Sequence, residues 1–352
     1  MRKIYFFLPE YPKFSTGGLK YHNYLFEYAA KVSNGIEIIG SKPDYEKIKN
    51  SKLLKLLVGF YYVYKIEINS IIVVTNTEYL YFLLPIFISK IIKRHKYYMI
   101  IHHLLSNQRK SFFKDIIERL YIKTADKIVV VSKTTLNTLL ERKILKENVD
   151  IIEPGLDILP IKEIRIKLNE IFKILFVGTI EMRKGLNFLI EALHMLQFDK
   201  FELSIVGNIK KQNYYSEILD LIDKYKLNNK IMFFKNLTNE NLRKKYIDSD
   251  CMVFPTLWEG YGMVVTEAMA CGLPIIASNI PSIRELMSEG KHGYLVEPSR
   301  PDLIADKLNI LFNNPELRKR MAINCIEKAK HFKNWNEISK LHYELLEKFR
   351  KQ

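Results

Sequence analysis

The chain has 352 residues, a length that suits two domains of about 150–200 residues each rather than a single core. Its 48% hydrophobic and 27% charged content is that of a soluble globular protein and excludes a disordered one, and no apolar run reaches the roughly 18 residues of a membrane-spanning helix. The net charge of +16 is uneven, with 28 of the 55 basic and 17 of the 39 acidic side chains before residue 173, an excess that attracts polyanions such as nucleic acid, an anionic membrane or a phosphorylated substrate.

The N-terminus, MRKIYFFLPE, begins like a signal peptide but meets Pro9 and Glu10 after five apolar residues, which predicts a buried first strand. Further apolar, β-rich runs follow at 35–40, 70–75, 97–102, 127–132 and 149–154, separated by longer helical patterns. After a charged stretch near 160–171 the pattern restarts, with runs at 173–178, 201–206, 230–234, 251–255, 274–278 and 293–298. Continuous apolar strands alternating with helices predict parallel sheets covered on both faces, hence two doubly wound α/β domains. The boundary is expected near Leu159–Phe172, and a last helix from about Asn336 to Lys351 lies beyond the second domain's final unit. Ligands of such sheets bind outside the carboxyl ends of the strands, so the expected site is a cleft between the domains.

Residues just after strands are therefore the ones to weigh. Thr16-Gly17-Gly18 sits before an amphipathic helix, where paired glycines let backbone N–H groups approach a phosphate or sugar; an ordinary turn and N-cap fits equally well. No Gly-Lys-Ser/Thr follows, so this is not a Walker loop, nor is it a full GxGxxG. The apolar, basic stretch FLLPIFISKIIKRHKYY, Phe82–Tyr98, suits an anionic bilayer surface, or else a packed helix with Lys93, Arg94 and Lys96 as its solvated end. The fourth strand ends at His102 and His103, which either fill the core or touch substrate; a metal site would need further ligands, and no compatible cluster is present.

In the second half, a strand ends at Gly178, and Arg183-Lys184-Gly185 precedes a helix starting near Leu186. Two cations at a helix N-terminus oppose the helix dipole, and that local conflict points to a bound diphosphate; a solvated basic loop is the plainer reading. Further on, PTLWEGYGMVVTEAMACG carries Glu259 in a loop and Glu267 on the following helix. Gly260 and Gly262 let the loop backbone pass close to a ligand, while Glu267, among Val264, Val265, Ala268 and Cys271, needs a partner such as a ribose hydroxyl. A glycosidase-like acid–base pair fits less well, because one member sits well inside a helix. Asp248-Ser249-Asp250 looks like a metal-binding DxD but closes a helix and enters a buried strand. Cys251, Cys271 and Cys325 have neither paired nor metal-site spacing and read as structural thiols of a reducing cytoplasm. Recognisable nucleic-acid modules are absent from the sequence.

The stretch from Glu259 through EAMACGLPIIAS resembles the E-x7-E motif of retaining glycosyltransferases of family 4. The resemblance continues through IPSIREL, HGYLVEP, VGTIEMRKG and IIEPGLD, covers nearly the whole chain, and is strongest from Phe172 to Pro298. It implies the GT-B fold, two Rossmann-like domains facing across a cleft, with residues 1–160 binding the acceptor and 171–332 the nucleotide-sugar donor; the helix at about 336–352 would pack back on the first domain. By matching, Arg183 and Lys184 hold the donor diphosphate beside Gly178, Glu267 the ribose, and Glu259 the sugar hydroxyls, near the backbone of Gly260, Tyr261, Gly262 and Met263. Gly17 and Gly18 match the family's N-terminal glycine loop, and His102, with His103 as the fallback, matches the histidine that approaches the donor sugar. Thr179 departs from the arginine that many members carry after the glycine, and acceptor-side residues are not bound to a motif.

The implied function is retaining transfer of a hexose-type sugar from a nucleoside-diphosphate-sugar to an acceptor hydroxyl, in cell-surface polysaccharide, lipopolysaccharide or glycolipid assembly. The implied partners are the donor, a glycan or lipid-linked acceptor and an anionic membrane surface, with no nucleic acid. The implied location is cytoplasmic, peripheral on the inner face of the cell membrane. No metal or other cofactor is expected. A GT-B sugar-nucleotide epimerase and a basic polyanion-binding protein are the alternatives.

Overall fold

Short runs rich in β-branched and aromatic residues build the strands, and central ones such as Ile71–Thr75 and Cys251–Phe254 are buried on both faces. The computed structural model describes residues 2–8, 17–39, 52–76, 79–104, 112–144, 149–158, 160–161 and 170–352. Thr16 and most of the expected connector, residues 162–169, lie outside the described residues. The chain divides into two units, one formed by Met1–Gly155 with Lys333–Gln352, the other by Leu156–Phe332.

In the first unit, strands β1 (Ile4–Phe7), β2 (Ile36–Ile39), β3 (Ile71–Thr75), β4 (Lys96–Ile101), β5 (Lys127–Val130) and β6 (Val149–Ile151) form one parallel sheet in the order β2-β1-β3-β4-β5-β6. Each lies within or one residue from an apolar run read in the sequence. Helices α1 (Gly17–Val32), α2 (Lys52–Lys65), α3 (Tyr79–Ile92), α4 (Phe112–Lys123) and α5 (Lys133–Glu141) connect them. Gly17 and Gly18 do not form a turn ahead of α1: they are its first two residues, where backbone N–H groups have no intrahelical partner whatever the side chain.

The strand side chains Tyr5, Phe7, Ile72, Val74, Tyr97 and Met99 pack with Tyr62 and Val63 of α2 and Ile86 of α3. The opposite face, with Phe6, Val73 and Tyr98, meets Leu25 and Ala29 of α1 and a helix from the far end of the chain. That last helix, Trp335–Lys351, starts at a capping box: Asn334 Oδ1 accepts from the Glu337 amide at 3.0 Å, and Glu337 Oε2 accepts from the Asn334 amide at 2.9 Å. Its buried residues Trp335, Ile338, His342, Leu346 and Phe349 recur at helical spacing and form a single apolar stripe, laid along α1.

The second unit repeats the plan. Strands β7 (Phe172–Val177), β8 (Phe201–Val206), β9 (Ile231–Phe234), β10 (Cys251–Phe254), β11 (Ile275–Ser278) and β12 (Gly293–Val296) are parallel, in the order β12-β11-β10-β7-β8-β9. This is the Rossmann strand order, which reverses between β7 and β10. Helices α6 (Leu186–His194), α7 (Gln212–Lys224), α8 (Asn239–Asp248), α9 (Met263–Ala270), α10 (Pro281–Leu286), α11 (Pro301–Asn313) and α12 (Pro315–Ala329) follow in turn; the last helix of the chain is α13. Asp250 has a structural task at the amino end of this sheet: its Oδ2 accepts from the Lys173 amide at 2.8 Å, and its own amide donates to the Lys173 carbonyl at 2.7 Å. Cys251, Cys271 and Cys325 are buried free thiols; burial pushes Cys271 up to about 12, so it behaves as a small apolar residue.

Candidate active site

In the second unit, the loops leaving the carboxyl ends of β7 and β10 start side by side at the point where the strand order reverses. Backbone bonds tie them together, since the Leu257 amide donates to the Arg183 carbonyl at 2.8 Å and Thr256 Oγ1 donates to the same oxygen at 3.2 Å. Met182–Lys184 form a single turn of 3₁₀-helix before α6, so Arg183 and Lys184 stand off the helix axis, not in its first turn.

Both cations meet Glu259. Arg183 Nη1 donates to Glu259 Oε1 at 2.7 Å and to the Trp258 carbonyl at 3.1 Å, while Lys184 Nζ donates to the same carboxylate oxygen. Thr256 Oγ1 lies 3.1 Å from that oxygen as well. A second carboxylate backs the pair: Arg183 Nη2 donates to Glu181 Oε1 at 2.8 Å, and Lys210 pairs with Glu181 Oε2 at 2.8 Å. The guanidinium of Arg183 also lies over the Trp258 ring at 4.8 Å, and Lys184 over Phe254 at 4.9 Å. The apparent conflict of two cations ahead of a helix is thus resolved locally by Glu181 and Glu259.

The electrostatics follow from burial and pairing. Burial would raise the Glu259 carboxyl, but Lys184 and then Arg183 more than offset it and hold it at about 2. Burial pulls Lys184 down, with Glu259 opposing. Glu181 experiences burial in one direction and Lys210 and Arg183 in the other, and the cations prevail to keep it low. Three cations and two carboxylates in one cluster leave a net positive site whose charges are already oriented. Gly178 borders it: a β-carbon there would stand 3.5 Å from Lys184 Cδ.

Gly260, Tyr261, Gly262 and Met263 continue from Glu259 into α9. Gly262 has φ 105°, and a β-carbon on it would reach within 2.8 Å of Ile283 Cδ1, so this entry into the helix requires glycine. Glu267, 8% exposed, accepts a hydrogen bond at Oε2 from Tyr246 Oη of α8 at 2.8 Å. The two glutamates therefore have separate partners, one bound by cations and one by a phenol. Sequence reasoning did not find Glu181, Thr256 or Tyr246. Glu181 is two residues from Arg183 and Thr256 three from Glu259, so proximity offered a signal; nothing in the sequence links Tyr246 to Glu267.

In the first unit, His102 follows β4, its ring 5.1 Å from Tyr21 and 5.6 Å from His22, both on α1. Burial, then His103, lowers His102 to about 3, so its imidazole is neutral at ordinary pH. The His103 carbonyl accepts from Asn76 Nδ2 at 2.7 Å, and the same amide donates to Glu118 Oε1 at 3.0 Å, which joins the ends of β3 and β4. Sequence reasoning also missed His342 of α13, whose Nε2 is 2.5 Å from Tyr21 Oη and whose Nδ1 is 2.9 Å from Tyr98 Oη.

Two doubly wound parallel sheets, the second in Rossmann order with a cation–carboxylate cluster at its switch point, are those of the GT-B fold. The family model of the glycosyl transferases group 1 matches residues 160–328, most of the second unit. An uncharacterized glycosyltransferase of Methanocaldococcus jannaschii is 31% identical over 225 residues, 63% of this chain and 60% of that protein, so the chain spans about three-fifths of that relative's length. Sucrose-phosphate synthase from Thermosynechococcus elongatus has a similar structure, with a TM-score of 0.82, 19% identity and 99% of both chains covered. HepE of Anabaena, solved in complex with UDP and glucose, gives a TM-score of 0.78 at 19% identity, covering 99% of this chain and 100% of that one.

Proposed function

We propose that this protein is a retaining glycosyltransferase that moves a hexose-type sugar from a nucleoside-diphosphate-sugar to an acceptor hydroxyl. The observation that carries the reading is the junction of Arg183, Lys184 and Glu259 at the carboxyl ends of β7 and β10. A diphosphate is the ligand that two pre-oriented cations, Lys184 buried and Arg183 half-buried, would receive, and charge that develops on it as the sugar departs would be stabilised by the same two groups. Glu259, held ionised, would share those cations with the phosphates and accept hydroxyls of the sugar. Glu267, fixed by Tyr246, would accept from the ribose. His102, neutral, would orient the sugar. With cations of its own at the leaving group, the reaction is expected to run without a metal.

Glu259 is committed to Arg183 and Lys184 and so is not placed as a free nucleophile; retention would then follow a front-face path. The UDP and glucose bound by the Anabaena protein support a UDP-sugar donor. The acceptor is proposed to be a glycan or a lipid-linked saccharide of cell-surface assembly, met at the inner face of the cell membrane.

The test is a thermal-shift screen with UDP-, GDP- and dTDP-sugars, followed by product analysis with the donor that binds. Arg183→Ala and Lys184→Ala are each expected to reduce turnover by about a hundred-fold, the range seen when one charge-stabilising group is lost. Unchanged turnover in both would sink the reading, and a sugar epimerised without any acceptor would replace it with the epimerase.

A further inference from the structure

Helices α2 and α3 pack along one another, yet each turns an apolar stripe away from the sheet. On α2 the stripe includes Leu53, Leu57 and Tyr64; on α3 it includes Phe87, Ile88 and Ile91. Tyr64 is 78% exposed and Ile91 81%, whereas Val63 and Ile86 of the same helices are buried in the core. The exposed residues recur at helical spacing, so they form a continuous face and not scattered surface positions. A contiguous apolar face of this kind marks an interaction surface.

Charge selects what covers it. Neither helix holds an acidic residue, while Lys52, Lys55 and Lys65 belong to α2, Lys90 to α3, and Lys93 and Arg94 follow α3 directly. Lys90 is engaged by Asp126 at 2.6 Å. The neighbouring Glu67 pairs with Lys3 at 2.5 Å. Lys93 Nζ donates to the Ile66 carbonyl at 2.9 Å, which places the carboxyl ends of the two helices together and gathers Lys65, Lys93 and Arg94 at one edge of the face. Lys65 and Lys93 lie over the rings of Tyr61 and Tyr64, at 4.6 and 5.3 Å. A second copy of this chain seated on the face would bring basic ends against basic ends in either orientation, because no acidic side chain of α2 or α3 is there to receive them.

We infer that the α2–α3 face docks on an anionic lipid monolayer, with its leucines, isoleucines and Phe87 in the acyl boundary, Tyr61 and Tyr64 at headgroup level, and Lys65, Lys93 and Arg94 against the lipid anions. The inference names a partner for the proposed transferase, but rests on this surface and not on the transfer reaction. No helix among the described residues is long and apolar enough to cross a membrane, so the attachment is to one leaflet.

The experiment is sedimentation of the full chain with phosphatidylcholine vesicles, with and without phosphatidylglycerol. Binding is expected only with phosphatidylglycerol present. It should fall by about ten-fold or more in Ile88→Glu/Ile91→Glu, and by about ten-fold in Lys65→Glu/Arg94→Glu. All four side chains point away from the core, so both variants should keep the wild-type melting temperature and the thermal shift with nucleotide sugars. Loss of that shift alone would count against the transferase reading and leave the docking inference intact. Absence of binding to either vesicle, equal binding to both, or undiminished binding by Ile88→Glu/Ile91→Glu overturns the inference. So does a dimer in sedimentation equilibrium that Ile88→Glu/Ile91→Glu dissociates.

Discussion

Gly185 faces the carbonyl of Pro255 so closely that a β-carbon on it would lie 2.1 Å from that oxygen. Its φ of 67° is the left-handed conformation that side chains resist. This contact presses the turn carrying Arg183 and Lys184 against the loop carrying Glu259. Gly185→Ala is therefore expected to cost more than the ~1–2 kcal/mol of the backbone conformation alone. Gly290 supplies the control: its φ is 71°, and nothing lies within 4 Å of where a β-carbon would be. Thermal denaturation of Gly185→Ala against Gly290→Ala isolates the close approach. Equal losses of stability in the two would show that it is not essential.

Glu259→Gln keeps the shape of the side chain but removes the charge that Arg183 and Lys184 share. Unpairing a buried cluster in this way is expected to destabilise the protein by about 3 kcal/mol. A diphosphate should then stabilise the variant more than the wild type, because it restores the missing anion. Thermal shifts with UDP, measured on both proteins, decide this; an equal or smaller shift in the variant would mean the cations do not receive phosphate. Glu259 also has a pH signature. Its carboxyl sits at about 2, below the ordinary value, so its contribution is full above the unfolded pKa and is lost as pH falls from about 4.5 towards 2.

Tyr246→Phe removes the phenol that donates to Glu267 Oε2. A hydrogen bond to a buried carboxylate is worth about 1.5–3 kcal/mol, and a stability loss in that range is expected by chemical denaturation. If Glu267 holds the ribose, the same variant should weaken UDP binding measured by calorimetry without altering the affinity for inorganic diphosphate.

His342 gives the first unit a different pH dependence. Tyr21 Oη donates its one proton to the Ile152 carbonyl at 3.1 Å, so His342 Nε2 donates to Tyr21 and Nδ1 accepts from Tyr98. Protonating Nδ1 would break that second bond inside the core. Burial, then His102, accordingly holds His342 at about 3, against about 6.5 in the unfolded chain. Its stabilising contribution is full above pH 6.5 and is lost as pH falls towards 3, by up to about 1.4 kcal/mol per pH unit. The melting temperature of His342→Gln should be lower than wild type at neutral pH and fall less steeply on acidification. Parallel pH profiles for the two proteins would contradict this.

Much of the plan was legible because it depends on local pattern. Runs such as Ile71–Thr75 and Cys251–Phe254 are apolar on both faces, which only a covered parallel sheet accommodates, and Arg183 and Glu259 each lie in the loop that follows such a run. What was not legible depends on encounters between distant segments. Tyr246 meets Glu267 because α8 and α9 flank the same strand, and His342 meets Tyr21 across 321 positions. Gly17 and Gly18 were placed ahead of the helix, as a loop approaching a phosphate or sugar or as an ordinary turn, yet they begin α1, whose first turn makes no demand they fail to meet. The exposed stripe of α2 was hidden for the same reason as these pairings: the sequence marks residues as apolar but not which of them the fold leaves outside.

The first unit is closed by the last residues of the chain, with all of the second unit lying between Gly155 and Lys333 in sequence. During synthesis, Tyr21, Tyr98 and Leu25 must therefore wait for α13 while the whole of the second sheet is made. The second unit has all its segments by Phe332, so the half that begins first in sequence is the last to have its segments complete.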